Sequence, residues 1–336
     1  MTEHSTSTNN YLEMLKNRPM FGAPLAGVST PSFRKVVRLF NEGLIFTEMV
    51  SVEGLIRKGS GTMVFLRTND CDEPLGVQLF GSKHESYADA VKVVLGTITP
   101  AVIDINMGCP VKKVIKTNSG AAMLRDELNI AKVVRAARSA CETVPLSIKI
   151  RLGWDANSIN YNEIIRIAYE EGASAVTLHG RTKAEGFGGQ VHYDMITDAK
   201  SRAKLPIIGN GDIVDMETYS NMLKTGVDGV MIGRGMMKQP WIFKALADGK
   251  DPDGFLETAK LKDLIFTIMD YEMQNARGSR YLDVSKKYIV WLMKGLPGAA
   301  SLRYSVYECG DRQKLDDMLE NYFSSIKDIP TDQSSE

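Results

Sequence analysis

The segment Ala101-Val102-Ile103-Asp104-Ile105-Asn106-Met107-Gly108-Cys109-Pro110 begins as an apolar, β-branched run and ends in a short loop. Such a run is typical of a buried parallel strand. Gly108 permits a sharp turn and Pro110 cannot continue a sheet ladder, so the strand is predicted to end there. Cys109 then lies at the carboxyl end of a strand, where α/β folds bind ligands. A free cysteine is more often buried and inert, but this position makes Cys109 the candidate reactive thiol.

The composition excludes several classes of protein. The 336 residues are enough for one large domain and a smaller one. Because 41 Lys and Arg balance 41 Asp and Glu, a dedicated nucleic-acid-binding protein is disfavoured, although a local basic surface is compatible with zero net charge. No apolar run reaches membrane-spanning length, and we expect no membrane segment. The four cysteines form no CxxC pair, so neither a disulfide framework nor a bound metal is expected.

Residues 1–10 are polar and lack the basic and apolar regions of a signal peptide. We predict that residues 1–18 are a disordered leader, and we expect the protein to be cytoplasmic.

Strand-like and helix-like segments then alternate along the chain. Eight strands are predicted, at Met20–Ala26, Leu44–Val50, Leu75–Phe80, Ala101–Asn106, Leu146–Arg151, Ala175–His179, Pro206–Asn210 and Gly229–Ile232. Amphipathic helical spacing lies between them, for example in Tyr87–Leu95. This pattern predicts an α/β fold, a (β/α)8 TIM barrel over residues 19–248, with a doubly wound sheet as the alternative. The segment Glu53–Pro74 is longer than a usual crossover and receives no assignment.

The alternation stops after Gly235, and residues 249–254 form a turn-rich linker. Three helices are predicted beyond it, at Leu256–Asn275, Leu282–Leu296 and Leu315–Ile326. We therefore expect a small C-terminal helical domain over residues 249–336.

Polar side chains recur where the predicted strands end. They are Gln78, Asn106, Lys149, Arg151, His179 and Arg181. Any one of them could be a solvated charge or a satisfied core residue. Polar groups in apolar strands are costly unless they face a site, so their recurrence on one barrel face predicts an active site there.

The last two strands end in glycine-rich loops, Gly209-Asn210-Gly211-Asp212 and Gly233-Arg234-Gly235. Loops at these two positions form the common phosphate site of this fold, and Arg234 could clamp a phosphate. Strand one ends in Pro24-Leu25-Ala26, a flat surface for a planar ring. Together with Lys149 and the amide of Gln78, these features indicate flavin mononucleotide (FMN). Cys109, protonated at neutral pH, would suit general-acid catalysis beside it.

These motifs resemble the dihydrouridine synthases, flavoenzymes that reduce a uridine in transfer RNA (tRNA). The matching segments run in order from Ala23–Val28 to Gly233–Gly235, and Asn106–Pro110 is the most specific of them. Lys286-Lys287-Tyr288 and Lys294–Ala299 resemble the bacterial B-type branch. Two departures stand out, since Leu25 replaces the usual Met and residues 28–31 lack a usual Asp.

The resemblance implies that FMN is held by Pro24, Leu25, Ala26, Gln78, Lys149, His179, Asn210, Gly211, Asp212, Gly233 and Arg234. It implies that NADPH reduces the flavin, and that hydride then passes from flavin N5 to C6 of an extruded uracil. It also implies that Cys109 protonates C5.

The tRNA-binding surface is predicted from basic and polar residues near the barrel mouth and on the terminal helices. They are Asn106, Lys112, Lys113, Arg151, Arg181, Lys286, Lys287 and Arg303. We expect a monomer. Two alternatives stay open, namely a small-molecule flavin barrel reductase of the dihydroorotate dehydrogenase type and a non-catalytic tRNA-binding flavoprotein.

Overall fold

A computed structural model describes residues 11, 13–17, 19–275 and 280–326 of the chain. Within these residues the chain divides into two units. The first contains the described residues of Met1–Thr30, Glu42–Ile213 and Glu217–Gly233, and the second those of Pro31–Asn41, Val214–Met216 and Arg234–Glu336. The domain limits at 19–248 and 249–336, with their assigned functions, stay a prediction.

The first unit is a closed barrel of parallel strands. The strands are β1 (Met20–Gly22), β2 (Ile45–Phe46), β3 (Val50–Ser51), β4 (Leu75–Phe80), β5 (Val102–Met107), β6 (Leu146–Arg151), β7 (Ala175–His179), β8 (Ile207–Asn210) and β9 (Gly229–Ile232). The barrel closes because β1 pairs with both β9 and β2, and β2 pairs with β4. β2 and β3 both pair with β4 and together occupy the second of the eight strand positions of the barrel. The predicted (β/α)8 TIM barrel is confirmed.

Apolar side chains fill the end of the barrel interior nearest the strand starts. Because strand side chains alternate between the two faces, every second residue points inward. The inward residues Phe21, Phe46, Val102, Ala175, Ile208 and Met231 form one buried cluster with Tyr11 and Leu15.

This cluster corrects part of the predicted leader. Tyr11 and residues 13–17 are helical, and Tyr11 and Leu15 are buried, so these residues are ordered by packing on the barrel. The rest of the predicted leader, residues 1–10, 12 and 18, lies outside the described residues.

Helices connect the strands. They are Val52–Ile56, Ser60–Met63, Tyr87–Leu95, Lys112–Ile115, Glu127–Arg138, Tyr161–Glu170, Tyr193–Arg202 and Met216–Lys224. Short 3-10 turns lie at Val64–Leu66, His84–Ser86 and Gly120–Arg125. The side chain of Asp126 caps the helix that follows it by accepting a hydrogen bond from Asn129 N at 3.0 Å. The unassigned segment Glu53–Pro74 consists mainly of short helical turns.

The second unit is helical. Its helices are Pro31–Arg38, Arg234–Lys238, Ile242–Ala247, Thr258–Asn275, Arg280–Leu292, Ala299–Glu308 and Arg312–Ser325. Buried Leu264, Ile268, Ile289 and Leu292 form part of its core. No helix in the described part of the chain is long and apolar enough to cross a membrane.

The helix after β1 belongs to this second unit rather than to the barrel unit. Phe33 of that helix stacks on Tyr288, with ring centroids 5.3 Å apart and planes 9° from parallel. Helix Ala299–Glu308 was not predicted, because its exposed aromatic and polar residues leave only a narrow apolar stripe.

Candidate active site

A polar layer follows the apolar cluster along the barrel interior. The strand register places Gln78 opposite Asp104 and Asp104 opposite Ser147. One inward position further along, Asn106 lies opposite Lys149, which lies opposite Thr177. The interior therefore changes from apolar to polar toward the carboxyl ends of the strands, where barrel enzymes bind their substrates.

Cys109 follows β5 in a loop that is bonded on both sides. Asn106 Oδ1 accepts hydrogen bonds from Gly108 N at 3.3 Å and from Cys109 N at 2.9 Å. The carbonyl oxygen of Cys109 accepts from Ala121 N at 3.0 Å. Gly120, at φ +60°, lies against the cysteine: a Cβ there would come 2.9 Å from the Cys109 carbonyl oxygen. The backbone of Cys109 is thus fixed from two directions.

The thiol of Cys109 is half-buried and remains protonated at neutral pH. Burial raises its pKa above the ordinary value, while a backbone hydrogen bond from Val111 and the charges of Arg151 and Lys149 act in the opposite direction. A thiol with a raised pKa is a poor nucleophile at neutral pH, and it suits proton donation. All four cysteines of the chain are free.

The charge of Lys149 acts on the thiol of Cys109, and the Lys149 side chain is hydrogen-bonded to a strand on another side of the barrel. Its Nζ donates to Asn210 Oδ1 at 2.7 Å, and Asn210 Nδ2 donates to the carbonyl oxygen of Met231 at 2.7 Å. Burial and the charge of Arg151 lower the pKa of Lys149 to about 7, although Asp104 and Cys109 oppose the shift. An anionic group bound nearby would restore the charged ammonium.

Arg151, predicted to contact tRNA, is buried inside the structure. Its Nε donates to the Gly108 carbonyl at 2.8 Å, and its Nη1 donates to the carbonyls of Thr182 and Gly186, each at 2.8 Å. Only 2% of Arg151 is exposed, so this guanidinium joins the Cys109 loop to the loop after β7 and is not on an RNA-facing surface.

Arg181, also predicted to contact tRNA, is 3% exposed and lies in the same loop region. Its Nε donates to the Gly189 carbonyl at 2.5 Å, and its Nη2 pairs with the carboxylate of Asp212. Its Nη1 is buried without a hydrogen-bond acceptor among the described residues. A buried donor without a partner is uncommon, and it fits an anionic group at this end of the barrel.

The glycine-rich loop after β8 contains two residues with positive φ. Gly211 has φ +142° and Asp212 has φ +43°, and a Cβ at Gly211 would contact Val191 and His179. Asn210 and His179 are paired in register and are nearly buried. The carboxylate of Asp212 pairs with Arg181 through Oδ2.

The remaining predicted cofactor residues differ in how deeply they are buried. Pro24 and Leu25 are half-buried and Ala26 is exposed, in a turn that Ser29 holds by accepting from Leu25 N at 3.0 Å. Gln78 is fully buried. Gly233 follows β9, and the exposed Arg234 begins a helix of the second unit, so its cofactor role stays a prediction.

The predicted RNA-contacting residues Lys112, Lys113, Lys286, Lys287 and Arg303 differ in their exposure to solvent. Lys112 and Lys113 are exposed on the short helix after Cys109, and Lys287 and Arg303 are exposed in the helical unit. Lys286 is only 6% exposed, and its Nζ donates to the Tyr307 carbonyl at 3.0 Å. Lys286 therefore joins two helices of the second unit.

Sequence reasoning missed a cationic cluster around Trp154, after β6. Arg125 lies 4.1 Å and Lys183 4.0 Å from the centroid of the Trp154 ring. Phe187, 55% exposed, lies in the loop that contains Lys183. The aromatic residue directly after the Arg151-Leu152-Gly153 turn was the available signal, but its cationic neighbours come from two other loops.

The fold and this site define a TIM-barrel protein with a protonated cysteine and a lysine at the carboxyl ends of the barrel strands. The family model for dihydrouridine synthases matches residues 21–327. A probable tRNA-dihydrouridine synthase of Rickettsia typhi is 32% identical over 318 residues, which cover 91% of this chain and 94% of the relative. The tRNA-dihydrouridine synthase B of Pseudomonas aeruginosa is 33% identical over 287 residues, covering 84% and 85%. The chain belongs to the dihydrouridine synthase family.

Proposed function

We propose that this protein reduces a uridine of tRNA to 5,6-dihydrouridine, using FMN and NADPH. The observation that carries the proposal is Cys109: a half-buried thiol with a raised pKa, fixed at the carboxyl end of a barrel strand. The names of its relatives supply the substrate class, since they are called tRNA-dihydrouridine synthases. As tRNA is the proposed substrate, we also propose that the protein is cytoplasmic; that it is a monomer remains a prediction.

The residues at the barrel mouth fit a phosphate-bearing, planar cofactor. The buried, unpartnered Nη1 of Arg181 and the Gly211 backbone offer donors to a phosphate, and Lys149 offers a cation to a ring. The turn Pro24–Ala26 offers a flat backbone surface. FMN held by these residues would supply hydride-transfer chemistry for C6 of the uracil, with NADPH as the source of the hydride.

Cys109 supplies the proton in this proposal. Saturation of the uracil C5=C6 bond needs a hydride at C6 and a proton at C5, because the C4 carbonyl polarises the double bond in that sense. Cys109 is protonated at neutral pH for the reasons given above, so it can donate its S–H proton to C5. Solvent then reprotonates the thiolate between turnovers.

The proposed tRNA surface combines exposed cations and aromatic rings. Lys112 and Lys113 follow Cys109, and the Trp154 cluster with Arg125 and Lys183 provides two more cations on the same unit. Cations bind phosphates, and rings such as that of Phe187 can stack on unpaired bases. Replacing Lys112 and Lys113 by Gln should therefore reduce the salt dependence of tRNA binding by about 1 in log–log slope per lost contact.

The test of the reaction is a mass-spectrometric assay for dihydrouridine. Purified protein is incubated with NADPH and unmodified tRNA, beside a parallel reaction with free uracil or orotate. We expect dihydrouridine in the tRNA and no turnover of the free pyrimidines. Turnover of the free pyrimidine alone would identify a small-molecule reductase. Flavin that is bound and reducible, with no turnover of either substrate, would identify a tRNA-binding flavoprotein without catalysis.

A further inference from the structure

A buried carboxylate lies beneath the cysteine and has no role in the proposed reaction. Asp104 is fully buried in the barrel interior. Its Oδ1 accepts from Ser147 Oγ at 2.6 Å, and its Oδ2 accepts from Gln78 Nε2 at 2.7 Å. Burying a carboxylate is costly, and here burial raises the pKa of Asp104 to about 6. Because desolvation of the Asp104 carboxylate costs free energy, we expect a role of this group other than packing.

The hydrogen bonds continue from Asp104 to the cysteine loop without interruption. Gln78 Oε1 accepts from Asn106 Nδ2 at 2.7 Å. Asn106 Oδ1 in turn accepts from Cys109 N at 2.9 Å. We call this series of four residues the amide relay: Asp104, Gln78, Asn106 and the backbone N–H of Cys109.

The relay has only one possible direction. A carboxylate can only accept, and a backbone N–H can only donate, so both ends of the relay are fixed. The two amides between them must each turn their nitrogen toward Asp104 and their oxygen toward Cys109. If the relay reversed, the Asn106 amide nitrogen would face the Cys109 N–H, donor against donor, and the loop would lose its bond.

We propose that Asp104 is a positioning residue which, through the Gln78 and Asn106 amides, fixes the backbone of Cys109 for proton donation. The relay explains why Gln78 is wholly buried, with both ends of its amide bonded. It also explains why Asn106 directs its oxygen to the loop. The proton-donating role of Cys109 rests on the proposed function, whereas the positioning of its backbone does not and can be tested through the reactivity of the thiol.

The test measures the alkylation of Cys109 by iodoacetamide in the flavin-containing protein, followed by peptide mass spectrometry. Cys71 and Cys309 serve as internal references because neither is in a disulfide bond and both are partly exposed. In Asp104→Asn the charge-assisted bond from Gln78 Nε2 becomes a weaker bond to a neutral amide, whose nitrogen can also turn toward Gln78, so the Asp104 end of the relay is no longer fixed. The loosened loop should expose the thiol, and the alkylation rate of Cys109 should rise about threefold at about pH 8.

The pH dependence of the rate separates positioning from a simple charge effect. Asp104 raises the pKa of Lys149, and the charge of Lys149 lowers the pKa of Cys109. Loss of the carboxylate charge therefore acts through the pKa of the thiol, and on its own it shifts the alkylation rate along the pH axis. A rate that is faster at every pH supports the relay, whereas a shift along the pH axis with no gain at high pH overturns it.

One further variant completes the test. Ser147→Ala removes the other partner of Asp104 but leaves its bond to Gln78, and its alkylation rate should stay within about twofold of wild type.

The outcomes are distinct. An Asp104→Asn protein that melts near the wild-type temperature and alkylates Cys109 at the wild-type rate would overturn the proposal. Equal acceleration in Ser147→Ala would do the same, because it would indicate general loosening of the interior. If wild-type protein forms no dihydrouridine, the proposed function fails, while the alkylation series still decides the role of Asp104.

Discussion

Substituting Gly120 by alanine tests how closely Cys109 is held. Gly120 has φ +60°, which costs an ordinary residue about 1–2 kcal/mol. Its new Cβ would lie 2.9 Å from both the Cys109 carbonyl oxygen and Val114 Cγ1, and 3.1 Å from Cys109 Cβ. Ordinary contacts begin near 3.4 Å, so the Cys109 loop must move by roughly 0.5 Å. Since a misplacement of about 1 Å can cost a factor of about 100, we expect turnover to fall about tenfold.

Gly249→Ala is the matched control. Gly249 has φ +69° with nothing within 4 Å of the added Cβ, so it carries the backbone cost without the collision. Thermal unfolding should show a loss of about 1–2 kcal/mol for this variant with unchanged dihydrouridine formation. A folded Gly120→Ala protein with wild-type turnover would refute the inference that this glycine sets the position of Cys109.

Three further predictions concern the charged groups of the site. Lys149→Met should release flavin or slow its reduction, seen in the visible absorbance, whereas Lys200→Met, which breaks a surface pair with Asp228, should not; equal flavin retention would exclude Lys149 from the cofactor site. Arg151→Lys should unfold more easily by about 2–4 kcal/mol in denaturant titrations, since a single ammonium nitrogen cannot reach carbonyls that two separate guanidinium nitrogens contact; an unchanged midpoint would contradict the bridging role. Because burial raises the pKa of Cys109, its proton is retained at pH values where an ordinary thiol ionises, so turnover with pre-reduced flavin should begin to fall only above the ordinary thiol pKa of about 8.5; a fall centred below that pH would count against Cys109 as the donor.

The barrel was predictable from the sequence because its strands are short apolar runs with clear ends. β4, β6 and β7 have the predicted limits, and the loop after β5 carries Cys109 where the Gly-Cys-Pro sequence places it. Lys149 was also predictable as a site residue, since an inward lysine in an apolar strand needs a polar environment.

The roles of the buried arginines were not predictable in the same way. Arg151 and Arg181 are bonded to carbonyl oxygens of loops that follow other strands, and those distances are set by tertiary placement. In the sequence they look like surface cations. Lys286 is a similar case, because its partner is a carbonyl 21 residues away.

The role that we propose for Asp104 was not predicted from the sequence, although Asp104 lies in the strand that precedes Cys109. A polar residue in a strand has two possible faces, and its partners Gln78 and Ser147 come from neighbouring strands. Only the register reveals that their side chains meet inside the barrel.

The most direct test of the account compares wild-type protein with Cys109→Ala. Each is reduced with NADPH and mixed with unmodified tRNA, and dihydrouridine is quantified by mass spectrometry. The account predicts that the variant keeps its flavin and its reduction by NADPH while losing nearly all product. Wild-type product formation by Cys109→Ala would contradict the assignment of this thiol as the proton donor.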